Sequence, residues 1–135
     1  NGVFDILHKG HIELLKFSKM QGTKLIVAID SDRRVKELKG NDRPINNQED
    51  RRRILETNRY VDEVVIFDSA EELQGFYNTL SPNVIVKGSE WTADEVRERD
   101  NIPENVQIKV YPLVGDYSTT NTMHKIRDME TCEKI

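Results

Sequence analysis

Four short apolar runs, separated by segments with helical patterns, constrain the fold of this 135-residue chain most strongly. The runs are LIVAID (25–30), VDEVVIF (61–67), NVIVKG (83–88) and QIKVYPL (107–113). Such runs are typical of strands buried on both faces of a parallel sheet. Their alternation with helices predicts an α/β fold with helices on both faces of the sheet.

Residues 3–7 precede the first helical segment and resemble the end of one more strand. The expectation is therefore a Rossmann-like three-layer sandwich with a five-stranded parallel sheet, in which the first, central strand is truncated at the N-terminus. The alternative is a domain that tolerates a short first strand. A single domain is expected over residues 1–128, followed by a short tail at 129–135.

The helical segments are recognised by the spacing of their apolar residues and by their caps. The first begins at His11 and ends near Gly22. Another begins near Asn47, with Asp50 three residues later in a pattern like a capping box. Further helices are predicted over 70–80 and 92–99, and a last one over STTNTMHKIR. The segment RRVKELKGNDRPIN is interpreted as a charged loop.

Composition narrows the class of partner. The net charge is −4, which gives no bulk electrostatic attraction to nucleic acid. No apolar run has the length needed to span a bilayer, so no nucleic-acid or membrane partner is expected. The single cysteine, Cys132, fits a reducing compartment, and a cytoplasmic location is predicted.

Polar and charged residues follow the predicted strands at the ends where ligands bind in open α/β sheets. They are Asp5, His8 and His11 after the first strand, Asp30, Ser31 and Asp32 after the second, Lys87 and Gly88 after the fourth, and Ser118 to Thr120 after the last. This convergence predicts a binding site at one edge of the sheet.

The HKGH turn is the most informative motif. His8 and His11 flank Gly10 at a strand-to-helix turn, where free N–H groups and the helix dipole favour an anion and glycine lets backbone approach it closely. Donor imidazoles there would stabilise charge on a phosphoryl group. A metal site formed with Asp5 is a weaker alternative. A single histidine, by contrast, is most often a surface or core residue without a role in binding.

Three further features are compatible with phosphate binding. Lys36, Lys39 and Arg43 lie in a loop shaped by glycine and proline, although a solvated loop is the ordinary reading. Arg51 lies early in a helix, where acids are normally favoured. GDYSTTN offers hydroxyls at a helix start, although a simple N-cap explains it as well. The sequence contains no GxxxxGK[ST], GxGxxG or GxSxG motif.

NGVFDILHKGH, together with the later YSTTNTMHKI, resembles the HxGH nucleotidyltransferase superfamily and, within it, the cytidylyltransferase-like group. The resemblance covers residues 1 to about 127. LKGNDRPIN, IVKGSEW and GDYSTTN are similar to bacterial heptose-1-phosphate adenylyltransferases, whose G-D-Y is replaced here by Ser89, Glu90 and Trp91. RRRILETNRYVDEV and Trp91 are similar to glycerol-3-phosphate cytidylyltransferase, but the arginine of its R-T-x-G-I-STT motif is absent from LVGDYSTT.

The resemblance implies transfer of a nucleoside monophosphate from ATP to a sugar phosphate of the heptose-1-phosphate type, with release of pyrophosphate. The alternative is a CTP-dependent glycerol-3-phosphate cytidylyltransferase. Magnesium is expected to bind mainly through the nucleoside triphosphate, with no metal site made by the protein, and the chain is expected to form a homodimer. A non-catalytic nucleotide sensor and a metal-dependent hydrolase are the rival functions.

The resemblance also implies residue roles. His8, His11 and Lys39 are expected to be catalytic. The expected nucleotide-binding residues are Gly2, Phe4, Gly10, Asp30, Arg51, Ser118, Thr119 and Thr120. The expected substrate-binding residues are Asp5, Arg43, Lys87 and Trp91.

Overall fold

The computed structural model describes residues 1–88, 91–112 and 118–133, with side chains described up to residue 129. Helices and strands alternate along the chain. They are α1 (Lys9–Met20), β1 (Ile26–Asp30), α2 (Asp32–Lys39), α3 (Gln48–Glu56), β2 (Glu63–Phe67), α4 (Ala70–Leu80), β3 (Val84–Gly88), α5 (Ala93–Arg99), β4 (Gln107–Tyr111) and α6 (Thr119–Glu133). The predicted α/β class is confirmed.

The strands form two parallel pairs. Ile26–Asp30 of β1 aligns with Glu63–Phe67 of β2, and Val84–Gly88 of β3 aligns with Gln107–Tyr111 of β4. The prediction of one five-stranded sheet is therefore wrong for the described residues, which contain two two-stranded sheets.

The predicted strand over residues 3–7 is also absent. Only Gly2 pairs with β1, through a single parallel bridge to Ile29. Phe4 and Ile6 have positive φ angles of 52° and 30°, which are incompatible with an extended strand. The segment therefore turns after Gly2 and leads into α1, so the chain reaches the histidine turn without forming a ladder.

The predicted charged loop begins as a helix. The Ser31 hydroxyl accepts a hydrogen bond from the Arg34 N–H at 3.2 Å and caps α2. Val35 is fully buried, so one apolar residue on this highly charged helix anchors it to the core. The helix ends at Gly40, whose φ of 107° is a conformation that L side chains rarely adopt. The loop proper is confined to residues 40–47.

The other helix predictions hold. The Asn47 side chain accepts from the Asp50 N–H at 2.9 Å and caps α3. The helices expected over 70–80 and 92–99 are α4 and α5. The last helix is longer than expected, because α6 continues to Glu133 through residues assigned to a tail. None of the helices in the described ranges is long and apolar enough to cross a bilayer.

Each strand pair has its own core. Around β1 and β2 the buried cluster comprises Leu15, Val27, Ile29, Leu55, Val61 and Val64. Around β3 and β4 it comprises Ile85, Val96, Ile102 and Val106. Burying each of these side chains contributes about 1.5–3 kcal/mol.

Candidate active site

The two histidines of the HKGH turn lie face to face. Their ring centroids are 3.8 Å apart, and the planes differ by 28°. His8 is the N-cap of α1, and Gly10 lies in its first turn. The Phe4 ring packs against His11 at 5.3 Å. A side chain at Gly2 would come within 2.9 Å of that ring, so this glycine makes room for the Phe4 contact.

Backbone and burial set the protonation of the pair. The His8 N–H donates to Nδ1 of His11 at 3.2 Å. Burial, and secondarily repulsion from His8, lowers the pKa of His11 to about 4, while burial also lowers the pKa of His8. His11 is therefore neutral at pH 7. Because Nδ1 accepts a hydrogen bond, the proton resides on Nε2, which is left as a donor.

Asp5 joins the histidine turn to two distant segments. Its buried carboxylate accepts the N–H groups of Ile45 at 2.6 Å and Asn46 at 3.0 Å. Its main-chain carbonyl accepts the Thr119 hydroxyl at 2.8 Å. Asp5 therefore ties the loop over 40–47 and the start of α6 to the turn that carries the histidines.

Arg51 lies beneath the site with its guanidinium committed to internal partners. The side chain is 1% exposed. It donates to the carbonyls of Asn46 (2.9 Å), Val3 (2.9 Å) and Asp30 (2.8 Å), and to the carboxylate of Asp32 (2.9 Å). The nucleotide contact that the resemblance implies for Arg51 stays a prediction, and in the structure its guanidinium positions the chain around the site.

The start of α6 lies beside the histidine turn. The Ser118 hydroxyl accepts the Asn121 N–H at 2.9 Å and caps the helix. Thr119 is held by Asp5, while Thr120 is exposed. The structure thus brings the two predicted anion sites together at the N-termini of α1 and α6. Residues 113–117 of the LVGDYSTT motif lie outside the described residues, as do Ser89 and Glu90.

Two predicted basic residues at or beside the 40–47 loop differ in burial. Lys39 is exposed at the end of α2. Arg43 is half-buried, and its Nε is buried without a hydrogen-bond partner among the described residues. A buried donor without a partner is unusual and costly, which makes Arg43 a candidate ligand-binding side chain.

The remaining predicted residues lie near the carboxyl ends of the strands. Asp30 is buried and pairs with Arg34 at 2.8 Å. Lys87 reaches the Asn1 carbonyl at 3.4 Å, and burial lowers its pKa. Trp91 is 43% exposed, and the Arg99 guanidinium lies 4.6 Å from the centre of its ring. Their predicted ligand contacts stay predictions.

Two residues that organise the site were not singled out from the sequence for that role. The Asp32 carboxylate accepts from Arg51, and the Asp32 N–H donates to the Gln48 side-chain oxygen at 3.0 Å. Arg34 holds the Asp30 carboxylate. Asp30 ends β1 and Arg34 lies in the first turn of α2, so their contact depends on a strand-to-helix turn in a segment whose charge pattern predicts a loop.

The described residues contain no group of three or more histidine, cysteine, aspartate or glutamate side chains that could hold a metal ion. Asp5 would be needed to complete a two-histidine-one-carboxylate set. Its oxygens instead receive the N–H groups of Ile45 and Asn46. The donor set therefore suits an anion better than a cation.

The chain matches the family described as cytidylyltransferase-like over residues 1–134. Among curated proteins it is similar to the bifunctional protein HldE of Campylobacter fetus, with 44% identity over 94% of this chain and 27% of the relative. The HldE of Aliarcobacter butzleri is 40% identical over 98% of this chain and 27% of the relative. The chain thus spans about a quarter of the length of these relatives.

Among solved structures, the chain is similar to the lipopolysaccharide core biosynthesis protein from Thermoplasma volcanium. The TM-score is 0.67 at 26% identity, and the match covers 87% of this chain and 93% of that one.

Proposed function

This chain belongs to the cytidylyltransferase-like family, and on that basis we propose that it transfers AMP from ATP to a sugar phosphate of the heptose-1-phosphate type, with release of pyrophosphate. The chain spans only about a quarter of the length of the HldE proteins that it resembles. The proposal concerns the nucleotidyl-transfer step alone.

One observation carries the proposal: the stacked histidines lie at the N-terminus of α1, which a hydrogen bond from Thr119 to Asp5 ties to the N-terminus of α6. Each helix start presents backbone N–H groups and the positive end of a helix dipole. Together with the Nε2–H of His11, these groups form a concentrated set of neutral donors. Such a set favours a polyphosphate.

The proposed reaction needs no covalent enzyme intermediate. A phosphate oxygen of the acceptor attacks the α-phosphorus of the triphosphate, and a new P–O bond forms. The bond from the α-phosphorus to the bridging oxygen breaks, and its electron pair leaves with pyrophosphate. The chain contributes positioning and stabilisation of the charge that develops on the phosphoryl oxygens. His8 and His11 are the proposed donors at that centre.

Cationic side chains around the histidines complete the proposed site. Lys39 at the end of α2 and Arg43 in the 40–47 loop would cover the triphosphate, and Ser118 would bind its β and γ phosphates from the start of α6. Lys87 and Trp91 would border the acceptor or base. Magnesium would be held mainly by phosphate oxygens and water.

The choice of acceptor is supported by two similarities. The relatives in the curated set are HldE proteins, and the similar solved structure is a lipopolysaccharide core biosynthesis protein. A saccharide core is assembled from activated sugars, so a sugar phosphate fits better than glycerol 3-phosphate. The homodimer stays a prediction.

The test is a pyrophosphate-release assay with ATP or CTP and with heptose 1-phosphate or glycerol 3-phosphate, in the presence of magnesium. We expect release only with ATP and the heptose phosphate. Removing a donor to developing charge lowers the rate by about 10²–10³-fold in known enzymes, and the same is expected for His11→Asn.

The matched control is His124→Ala, which removes an exposed histidine of α6 and should leave the rate unchanged. Release with CTP and glycerol 3-phosphate would favour the alternative acceptor. If the chain binds nucleotide but releases no pyrophosphate with any combination of nucleotide and acceptor, it is a nucleotide sensor and not an enzyme. If His11→Asn leaves the rate of pyrophosphate release unchanged, the proposed site is wrong.

A further inference from the structure

The helix α5 is short, yet both of its ends are fixed. At its start, the Thr92 hydroxyl accepts the Glu95 N–H at 3.2 Å, and the Glu95 carboxylate accepts the Thr92 N–H at 3.3 Å. At its end, Asn101 has a φ of 50°, and the N–H groups of Asn101 and Ile102 donate to carbonyls in the last turn, as in a Schellman motif. Val96 and Ile102 are buried in the core around β3 and β4. A helix of seven residues is marginal alone, so these contacts hold its residues in place.

Arg99, in the last turn of α5, lies over the ring of Trp91. Its guanidinium carbon is 4.6 Å from the centre of the ring, a distance at which the face of an indole attracts a cation. Side chains on a helix lean towards its N-terminus, which directs Arg99 back towards Trp91, the residue before the N-cap. The indole is therefore attached to the fixed helix by a side-chain contact as well as by the backbone.

Asp100 in turn holds Arg99. Its Oδ1 accepts the Arg99 Nε–H at 3.2 Å, and its side chain is 11% exposed, compared with 47% for Arg99. The Asp100 N–H donates to the Val96 carbonyl at 3.0 Å, which fixes the acid on the helix. Its Oδ2 is buried without a hydrogen-bond partner among the described residues. A carboxylate buried with one oxygen unpaired is costly, so the pair stabilises the fold poorly and its main effect is to orient the guanidinium.

These three side chains lie at the edge of the sheet where ligands bind. Trp91 follows shortly after Gly88, the last residue of β3. Burial lowers the pKa of Lys87, and the charge of Asp100 opposes this effect, which places the end of α5 close to the end of β3. Trp91 is 43% exposed. An indole that is fixed in position and open to solvent offers a flat surface to the ring of a bound substrate.

The groups beside the indole favour a sugar ring over a base. This step rests on the proposed function, which supplies ATP and a sugar phosphate as substrates. The edge of adenine is typically read by Asn or Gln side chains, whereas the groups beside Trp91 are a guanidinium and a carboxylate. Sugar hydroxyls can donate to a carboxylate and accept from a guanidinium, while the C–H face of the ring packs on the indole.

We propose that the Trp91 indole packs against the sugar ring of the acceptor, and that Arg99 and Asp100 are positioning residues that hold the indole for this contact. The relay thus extends the site to α5. It assigns to Arg99 and Asp100 a role in binding the acceptor and none in binding the nucleotide.

The test uses the fluorescence of Trp91, the only tryptophan of the chain. Heptose 1-phosphate, inorganic phosphate and an ATP analogue with a methylene group between the α and β phosphorus atoms are each titrated while emission and acrylamide quenching are measured. Heptose 1-phosphate is also titrated in the presence of the analogue, which cannot release pyrophosphate. The result is therefore independent of nucleotidyl transfer: shielding of Trp91 without pyrophosphate release in the assay above would reject the transfer and keep this inference.

We expect heptose 1-phosphate to reduce the quenching of Trp91, and the ATP analogue and inorganic phosphate to leave it unchanged. Shielding by the analogue alone would show that Trp91 contacts the base, and equal shielding by inorganic phosphate would show that no sugar contact is made; either result would overturn the proposal. So would the absence of shielding by heptose 1-phosphate both with and without the analogue.

Variants test the two positioning residues. Arg99→Leu and Asp100→Asn should increase quenching in the free protein and raise the Kd for heptose 1-phosphate about two- to fivefold, which corresponds to the loss of an exposed cation–π contact, while the Kd for the ATP analogue stays the same. Arg99→Lys keeps a cation and should lie between Arg99→Leu and the unmodified chain. The matched control is Glu98→Gln, a change at an exposed neighbour that should have no effect. A lower melting temperature with an unchanged Kd for heptose 1-phosphate would show that Arg99 and Asp100 are only structural.

Discussion

Replacing Arg51 with methionine is expected to lower the free energy of unfolding by about 3–5 kcal/mol, because one buried side chain serves four hydrogen-bond acceptors around the site. Its guanidinium donates to three main-chain carbonyls, at Val3, Asp30 and Asn46, and to the Asp32 carboxylate. Methionine fills much of the same volume, so the change removes hydrogen bonds more than packing.

The magnitude follows from those partners. A buried acceptor left without its donor costs about 1–3 kcal/mol, and three carbonyls at the lower bound give about 3 kcal/mol. The Asp32 carboxylate is 32% exposed and regains water, so it adds little. The upper figure of about 5 kcal/mol applies if some of the carbonyls cost more than the lower bound. Total stability is typically 5–15 kcal/mol, so the variant should remain folded but weak.

The assay is urea unfolding followed by far-ultraviolet circular dichroism, with Arg52→Met as the matched control on the same helix. Arg52 forms exposed ion pairs with Glu49 and Glu56, which are worth about 0–1 kcal/mol. Arg51→Lys keeps the charge but cannot reach all four acceptors and should fall between the two. A loss below about 1 kcal/mol in Arg51→Met would refute the reasoning, since it would show that water or other donors replace the guanidinium.

Three more results are expected. Asp5→Asn should lower the rate of pyrophosphate release while the melting temperature falls only modestly, because the amide oxygen can still accept one of the two N–H groups of the 40–47 loop. An unchanged rate would show that the contact between Asp5 and this loop does not affect the site. Folding lowers the pKa of His11 from 6.5 to about 4, so the contribution of His11 to the free energy of unfolding should be complete above pH 6.5 and should decline as the pH falls towards 4. The decline should be smaller in His11→Asn, and equal pH dependence of urea unfolding in the two proteins would contradict this. Gly2→Ala should displace the Phe4 ring and destabilise the chain by about 1–3 kcal/mol, and a crystal structure with Phe4 unmoved would contradict it.

Local patterns predicted most of the helices and strands because their causes are local. Asn47 caps α3 through its own side chain, and the apolar run before Asp30 forms β1. The interpretation of residues 33–46 as a loop failed because the stability of α2 comes from outside it. Val35 packs into the core, and Arg33 reaches Asp68 after β2 at 2.9 Å. Neither contact is evident from the segment itself, because most of its residues are charged or polar and such a segment is usually a solvated loop.

The candidate site was partly predictable for the same reason. The histidines follow a strand-like segment and precede a helix, and their position at the N-terminus of α1 was expected. Most partners of Asp5 and Arg51 were not, because they are main-chain groups at residues 3, 30, 45 and 46 that leave no signature in the sequence. The sequence shows which side chains can donate or accept hydrogen bonds, but their main-chain partners are known only from the fold.

Asp5 has a consequence for how this site can move. Its carboxylate and its carbonyl bind segments some 40 and 114 positions further along the chain, so the histidine pair has no independent freedom. A displacement of the 40–47 loop is transmitted to the start of α6 through a single residue. Ligand-dependent motion is therefore expected to be collective, and the relaxation rates measured at the loop and at α6 should coincide.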